Sequence, residues 1–122
     1  MSAAFLDTYA LFEIVEGNKD YERMLARSRI LTTKMNLLEF YYGLLKRNGK
    51  AVADFYYRQF AGYAEESTDV QIQMAAQFRL DKTGKRFSYV DCLGYAMAAD
   101  LGLPFVTGDA AFEGLPNVEF VK

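Results

Sequence analysis

Phe87 to Val121 reads FSYVDCLGYAMAADLGLPFVTGDAAFEGLPNVEFV. Ser88 stands where a helix begins, and Asp91 follows three residues later, where a carboxylate can reach back to the cap. Val90, Leu93, Gly94, Met97 and Leu101 recur at helical spacing as the expected buried side, and Gly102 closes the helix. PFVT then reads as a short buried strand whose polar exit, Thr107-Gly108-Asp109, is delivered to the edge of a sheet. VEFV supplies the next strand. In open α/β sheets, ligands bind at the carboxyl ends of strands, so the acid at Asp109 stands where chemistry is done.

Upstream, the same alternation repeats. AAFL is a brief strand-like run ending at Asp7, and TYALFEIVEGN follows as a helix with Leu11, Ile14 and Val15, stopping near Gly17 and Asn18. KDYERMLARS predicts a second amphipathic helix carrying Tyr21, Met24 and Leu25, and RILTT a second β-branched run. MNLLEFYYGLLKRNGK places Leu37, Leu38, Tyr41, Leu44 and Leu45 on one stripe that stops at Asn48-Gly49. AVADFYYRQFAGYAEES continues the period through Val52, Phe55, Tyr56, Phe60 and Tyr63. TDVQI reads as a weak strand and QMAAQFRLDKTGK as a helix ending at Gly84. Strands alternating with helices predict a three-layer α/β/α sandwich around a central, mainly parallel sheet of four to five strands.

Composition narrows the chemistry. The 122 residues are 52% hydrophobic and 25% charged, which suits one domain with a sizeable core. There is no histidine and a single cysteine, Cys92, so serine–histidine and cysteine–histidine nucleophiles, His- or Cys-based zinc sites and internal disulfides are excluded. Cys92 reads as an ordinary core residue of its helix. No apolar run reaches membrane-spanning length and no basic segment precedes an apolar core, which predicts a cytoplasmic protein. The net charge of −2 argues against a broad nucleic-acid footprint while leaving room for a local basic rim.

Of the 16 acidic residues, most fall on polar helix faces or in loops, where solvation explains them. Four do not. Asp7 and Asp109 follow apolar strands, Glu39 lies inside NLLEFYYGLL, and Asp91 sits in a first helical turn. Each has a structural reading as well: Asp91 as capping residue, Asp109 as turn residue, Glu39 as an exposed position. If the two strands are parallel neighbours, however, strand exits and helix starts share one edge and the four acids meet. Such a cluster repels itself unless a cation is present, and oxygen-only ligands favour Mg²⁺ or Mn²⁺.

FLDTYALFE, NLLEFYYGLL and the stretch from Ser88 to Val121, with its Ser-x-x-Asp, Ala-rich helix and Thr-x-Asp-x-x-Phe in order, resemble the PIN-domain family, especially its small VapC-like toxins. The resemblance spans nearly the whole chain, is weakest from Gly49 to Gln77, and implies a single PIN-like domain over residues 1–122. It implies a metal-dependent endoribonuclease whose acidic quartet is Asp7, Glu39, Asp91 and Asp109, supported by Thr107 and Ser88, and whose products carry a 5′-phosphate and a 3′-hydroxyl. It also implies a homodimer silenced by an antitoxin protein laid in a groove between helices. One departure is Ala111, where many relatives carry a further acid.

An acidic pocket needs cations at its rim to hold RNA. Lys34, Lys85 and Arg86 are the candidates singled out, with Lys46, Arg47, Lys50, Arg79 and Lys82 also available. Tyr41, Tyr42, Tyr56, Tyr57 and Tyr63 exceed the needs of one small core and suit partner contact or base stacking. Two other function classes remain open at this point. A haloacid-dehalogenase-type phosphatase also begins with a strand ending in Asp, but needs a second Asp where Tyr9 stands; a catalytically silent PIN-like module would bind without cutting.

Overall fold

The computed structural model describes residues 2–122. Four short strands, β1 (Ala4–Leu6), β2 (Ile30–Leu31), β3 (Phe105–Thr107) and β4 (Val118–Phe120), form one sheet in the order β2-β1-β3-β4, all neighbours parallel. Six helices connect them: α1 (Thr8–Val15), α2 (Lys19–Glu22), α3 (Lys34–Asn48), α4 (Lys50–Phe60), α5 (Asp69–Asp81) and α6 (Tyr89–Leu101). Among the described residues none of these is long and apolar enough to cross a membrane.

The strand register explains why so little sheet organises so much chain. Ala4 pairs with Ile30 and Leu6 with Val106, and these four side chains join a core with α1, α3 and α4 on one face. Phe5 pairs with both Leu31 and Phe105, and these three point to the opposite face, against α5 and α6. The two-residue period of a strand thus deals alternate apolar residues to two separate cores, and the strands read as unbroken apolar runs because both faces are buried. Aromatic rings fill the second core: Phe105 and Phe112 lie 4.8 Å apart, Phe78 and Tyr95 4.5 Å apart, Phe87 and Phe112 4.5 Å apart.

Several expected elements differ. TDVQI is the start of α5, not a strand: Thr68 accepts from the Gln71 amide at 3.1 Å while the Gln71 side chain accepts from the Thr68 amide at 2.9 Å, and this capping box overrides the alternation that reads as β. Val70 and Ile72 are left exposed on the helix surface. The second amphipathic helix is only the single turn of α2 followed by a 3₁₀ turn from Arg23 to Ala26, which buries Tyr21 and Met24 and leaves Leu25 exposed. On α3 the buried stripe is Asn36, Leu37, Phe40 and Leu44, with Leu38 and Leu45 facing outward. On α6 it centres on Cys92, Gly94, Tyr95 and Met97, and Leu101 is exposed. Phe40 and Tyr95 escaped notice because a run of adjacent apolar residues fits more than one helical phase.

Gly94 fixes the distance between α6 and the sheet. A Cβ there would stand 2.8 Å from the ring of Phe5 and 3.3 Å from that of Phe105, both fully buried. Alanine is the better helix former by about 1 kcal/mol, but overpacking a core costs roughly 1–3 kcal/mol. We therefore expect Gly94→Ala to lower the melting temperature, while Gly62→Ala, where a Cβ meets nothing within 4 Å, leaves it unchanged or slightly raised. Equal melting temperatures for wild type and Gly94→Ala would mean that α6 does not seat on Phe5 as described.

Candidate functional site

From β1 the chain moves to β2 on one side and then crosses to β3 on the other, so the crevice between β1 and β3 is the sheet's switch point. The carboxyl ends of these two strands are where such sheets bind ligands. Asp7 follows β1 directly, and Thr107 ends β3 with Gly108 and Asp109 beyond it.

Each acid is held by local backbone. Asp7, 5% exposed, is the N-cap of α1 and accepts from the Ala10 amide at 2.9 Å; the Thr107 hydroxyl donates to it as well. Thr107 Oγ1 in turn accepts from the Asp109 amide at 3.0 Å, so one buried hydroxyl links the two strand exits. Gly108 between them leaves no room for a side chain, because a Cβ would lie 2.4 Å from the Tyr9 ring and 2.6 Å from the Val121 carbonyl oxygen. Asp109 caps a 3₁₀ turn by accepting from the Ala111 amide at 3.0 Å. Asp91 completes the capping box of α6: its carboxylate accepts from the Ser88 amide at 2.9 Å, and Ser88 Oγ accepts from the Asp91 amide at 3.0 Å.

Glu39, half-buried in α3, accepts from Thr8 Oγ1 at 2.7 Å. Thr8 accepts from Asn36 Nδ2 at 3.0 Å, and Asn36 Oδ1 accepts from the Thr33 hydroxyl at 2.6 Å. This chain fastens the start of α3 to the start of α1. Thr8 and Asn36 were not anticipated from sequence, although Thr33-x-x-Asn36 carries the pattern of an N-cap with a polar side chain at the third helical position.

The four carboxylates share one electrostatic field. Asp7 is pushed up to about 7, first by burial and further by the charges of Asp91 and Asp109, against the lowering hydrogen bonds from Thr107 and Ala10. Burial raises Asp91, with Asp109 adding to it, and burial raises Glu39, with Asp91 adding to it. Among the described residues none of the four forms a salt bridge. A buried carboxylate without a cation partner, whose charged neighbours are other carboxylates, fits a hard divalent ion in chemistry. In spacing, no group of three or more acidic or thiol side chains among the described residues is drawn closely enough to hold an ion. The acids share a field, not a coordination shell.

Residues 4–117 match the PIN domain. The chain belongs to the PIN-domain family. Its backbone superposes on a toxin-antitoxin complex from Klebsiella pneumoniae at 17% identity, with 95% of each chain covered and a TM-score of 0.76. It is similarly close to Mycobacterium tuberculosis VapC20, a Sarcin-Ricin loop cleaving toxin, at 20% identity over 97% of this chain and 99% of that one, with a TM-score of 0.75. VapBC-5 of the same organism is 25% identical over 100% of this chain and 99% of that one, at a TM-score of 0.71. No curated protein matches the chain significantly.

The PIN fold therefore brings Asp7, Glu39, Asp91 and Asp109 to one edge, with Thr107 and Ser88 bonded to them as described. The cations are dispersed. Lys85 donates to the Ala111 carbonyl at 3.1 Å, beside the Asp109 turn. Arg86 is exposed just before α6, and Lys34 is exposed at the first position of α3. Lys50 is paired with Asp54 at 2.7 Å, and Arg79 lies 4.1 Å over the Tyr89 ring while donating to the Phe87 carbonyl. The tyrosine surplus is largely internal: Tyr41, Tyr56, Tyr57 and Tyr63 pack against the first core, and of the five only Tyr42 stands well exposed, at 61%.

A carboxylate raised in the folded state binds its proton more tightly there than in the unfolded chain. Its contribution is therefore fully present below the unfolded value near 3.8 and is lost as pH rises through about 7. Asp7→Asn keeps the cap and removes the charge. In metal-free buffer we expect the variant to match wild type near pH 4 and to exceed it at pH 8, by about 4 kcal/mol at most. Thermal melts across this range measure it, and an advantage that does not shrink on acidification would refute the assignment.

Proposed function

We propose that this chain is a divalent-metal-dependent endoribonuclease that hydrolyses single-stranded or loop RNA, acting in the cytoplasm as the toxin of a toxin–antitoxin pair. The observation that carries the reading is the buried Asp7 at the switch point of a PIN fold, without a salt-bridge partner among the described residues, repelled by Asp91 and Asp109, with Asp91 in turn repelling Glu39. The toxin and toxin-antitoxin relatives support the biological role.

In this reading Asp7, Asp91, Asp109 and Glu39 would hold Mg²⁺ or Mn²⁺ once their side chains close on the ion. When bound, such an ion acts as a Lewis acid on the phosphate and makes water a competent nucleophile near neutral pH. The protein's own groups do the positioning. Thr107 orients Asp7 and fixes the Asp109 backbone, the Ser88 amide holds the Asp91 carboxylate toward the helix start, and Thr8 holds Glu39. In this reading the strand exits and helix starts receive an unpaired strand, whose backbone can splay, rather than a duplex. Lys85, beside the Asp109 turn, gives a phosphate contact at the rim, with Lys34 and Arg86 as further contacts. The chain pairs as a homodimer and is silenced by an antitoxin protein, whose contact would cover exposed apolar side chains such as Met35, Leu38, Leu45 and Phe55 on α3 and α4.

A second reading, a PIN module that binds without cutting, draws on the separation of the acids and on Ala111 in place of a further acid. Heat and turnover separate the two. Saturating Mn²⁺ should raise the melting temperature, since an ion that binds only the folded state stabilises it, and Asp109→Asn should blunt that rise. An identical melt with and without Mn²⁺ removes the metal. With Mg²⁺ or Mn²⁺ and no partner, wild type should cut single-stranded RNA and stop in EDTA. Asp7→Asn and Asp91→Asn should each lose roughly a hundredfold or more in rate, comparable to removing a major electrostatic contribution. Wild-type rates in both variants would assign the cutting to another site.

A further inference from the structure

A groove of about 350 Å³ leaves the acidic site between α1 and α3. Thr8 and Glu39, joined by their hydrogen bond, form one end, and Lys46 and Arg47 form the other. On α3, Glu39, Tyr42, Gly43 and Lys46 fall at i, i+3, i+4 and i+7, a single stripe, and Phe12 lies one turn beyond Thr8 on α1. The two helices touch because position 43 is glycine: a Cβ would stand 2.3 Å from the tip of the Phe12 ring. Seven residues of α3 separate the acid from Lys46, roughly 10 Å along the helix.

We propose that this groove is a subsite for the single-stranded RNA that flanks the scissile bond, with the Tyr42 ring stacking an unpaired base and Lys46 and Arg47 holding a phosphate. The inference rests on the ribonuclease reading and extends it to residues that the acidic quartet does not include. A polyanion is repelled by four carboxylates and must be held by cations a short distance along the strand, which is where this groove ends. Both cations are held by contacts that are easily exchanged. Lys46 lies 5.2 Å over the Tyr42 ring, an exposed and therefore weak cation–π contact that leaves the ring when the ammonium turns to a phosphate. Arg47 lies 4.3 Å over the Phe12 ring and only 3.9 Å from Glu16, in a pair more than half exposed on both sides. A charged groove with one exposed aromatic on its wall is the arrangement that tracks single strands by stacking and charge. The apolar side chains that suit a protein partner, Met35, Leu38 and Leu45, do not line it.

The test is fluorescence anisotropy with a short labelled single-stranded oligoribonucleotide in EDTA, so that binding is read without cutting, over a range of salt. Tyr42→Ala should weaken binding about fivefold or more, and Tyr42→Phe, which keeps the ring, should bind like wild type. Lys46→Ala should weaken binding severalfold and reduce the salt slope by about 0.7. Arg58→Ala, which removes a charge elsewhere, should change neither. Tyr42 and Lys46 are exposed, so unchanged melting temperatures confirm intact folds. Wild-type affinity and slope in both Tyr42→Ala and Lys46→Ala overturn the subsite, as does loss of self-association in light scattering with RNA binding intact, which would make the groove a protein interface. If Asp7→Asn abolishes cleavage while the groove variants bind normally, the nuclease stands and the subsite falls. If Tyr42→Ala loses binding while Asp7→Asn still cuts, the subsite stands and the catalytic assignment falls.

Discussion

The structure turns on one unfavourable burial. Asp7 is placed beneath α1, against β3, with almost no access to water and, among the described residues, no salt-bridge partner. A lone carboxylate in such a place would normally be replaced by something apolar, and the flanking strand, three fully buried residues, shows how readily this part of the chain accepts apolar side chains. What holds the acid there is geometry. β1 lies between β2 and β3, its last residue pairs with Val106, and the helix that must follow starts at the sheet's carboxyl edge with Asp7 as its cap. The hydrogen bonds from Ala10 and Thr107 offset part of the desolvation, but the charges of Asp91 and Asp109 work against them.

The remaining order of the site depends on that placement. The Thr107 hydroxyl serves Asp7 and also fixes the amide of Asp109, so a change in one strand exit is felt in the other. The start of α3 is tied to α1 through Thr33, Asn36, Thr8 and Glu39, and Thr32 at the end of the β2 run donates to the Leu6 carbonyl at 2.9 Å. Three strand exits are therefore cross-linked by hydroxyl groups rather than by charge. The two cores then hold them rigidly from either side, since alternate residues of the same three strands are buried in opposite directions.

Much of this was legible in the chain. Strand, acid and helix recur in the order the sheet requires, and Ser88, Asp91, Gly102 and the Thr107-Gly108-Asp109 exit each occupy the local structure their chemistry favours. What escaped was set by tertiary contact. TDVQI alternates like a strand, yet Thr68 and Gln71 close a capping box and Gln71 Nε2 also donates to Asp100 at 3.0 Å, which anchors α5 to α6. The phase of α3 was ambiguous because FYYGLL offers an apolar residue at nearly every position, and only the Phe12 and Phe60 rings packed on Phe40 decide it. Whether the tyrosines were surplus depended on how they pack around the first core, which composition does not reveal. The four acids could be brought to one edge by topology, but the separations between their oxygens depend on rotamers that no sequence pattern encodes.

Those separations bear on an apparent rivalry between structural and catalytic readings of the acids. Asp7 caps α1, Asp91 closes the capping box of α6 and Asp109 caps a 3₁₀ turn, each by accepting a hydrogen bond from a backbone amide. A cap engages a carboxylate on the side of the helix start and fixes its torsions, and it does so at the same sheet edge where a cation would be held. Under the proposed function, capping would therefore position the acids for a ligand instead of competing with one. The Asp109 turn shows how far this positioning reaches. Phe112 is fully buried among Phe87, Tyr95 and Phe105, and its insertion fixes the turn that brings the Ala111 amide onto Asp109. The side chain of Ala111 takes no part in this, since its contribution is a backbone N–H, available from any residue except proline. Alanine at position 111 therefore costs Asp109 none of its anchoring, which rests on the turn and on the buried Phe112 ring.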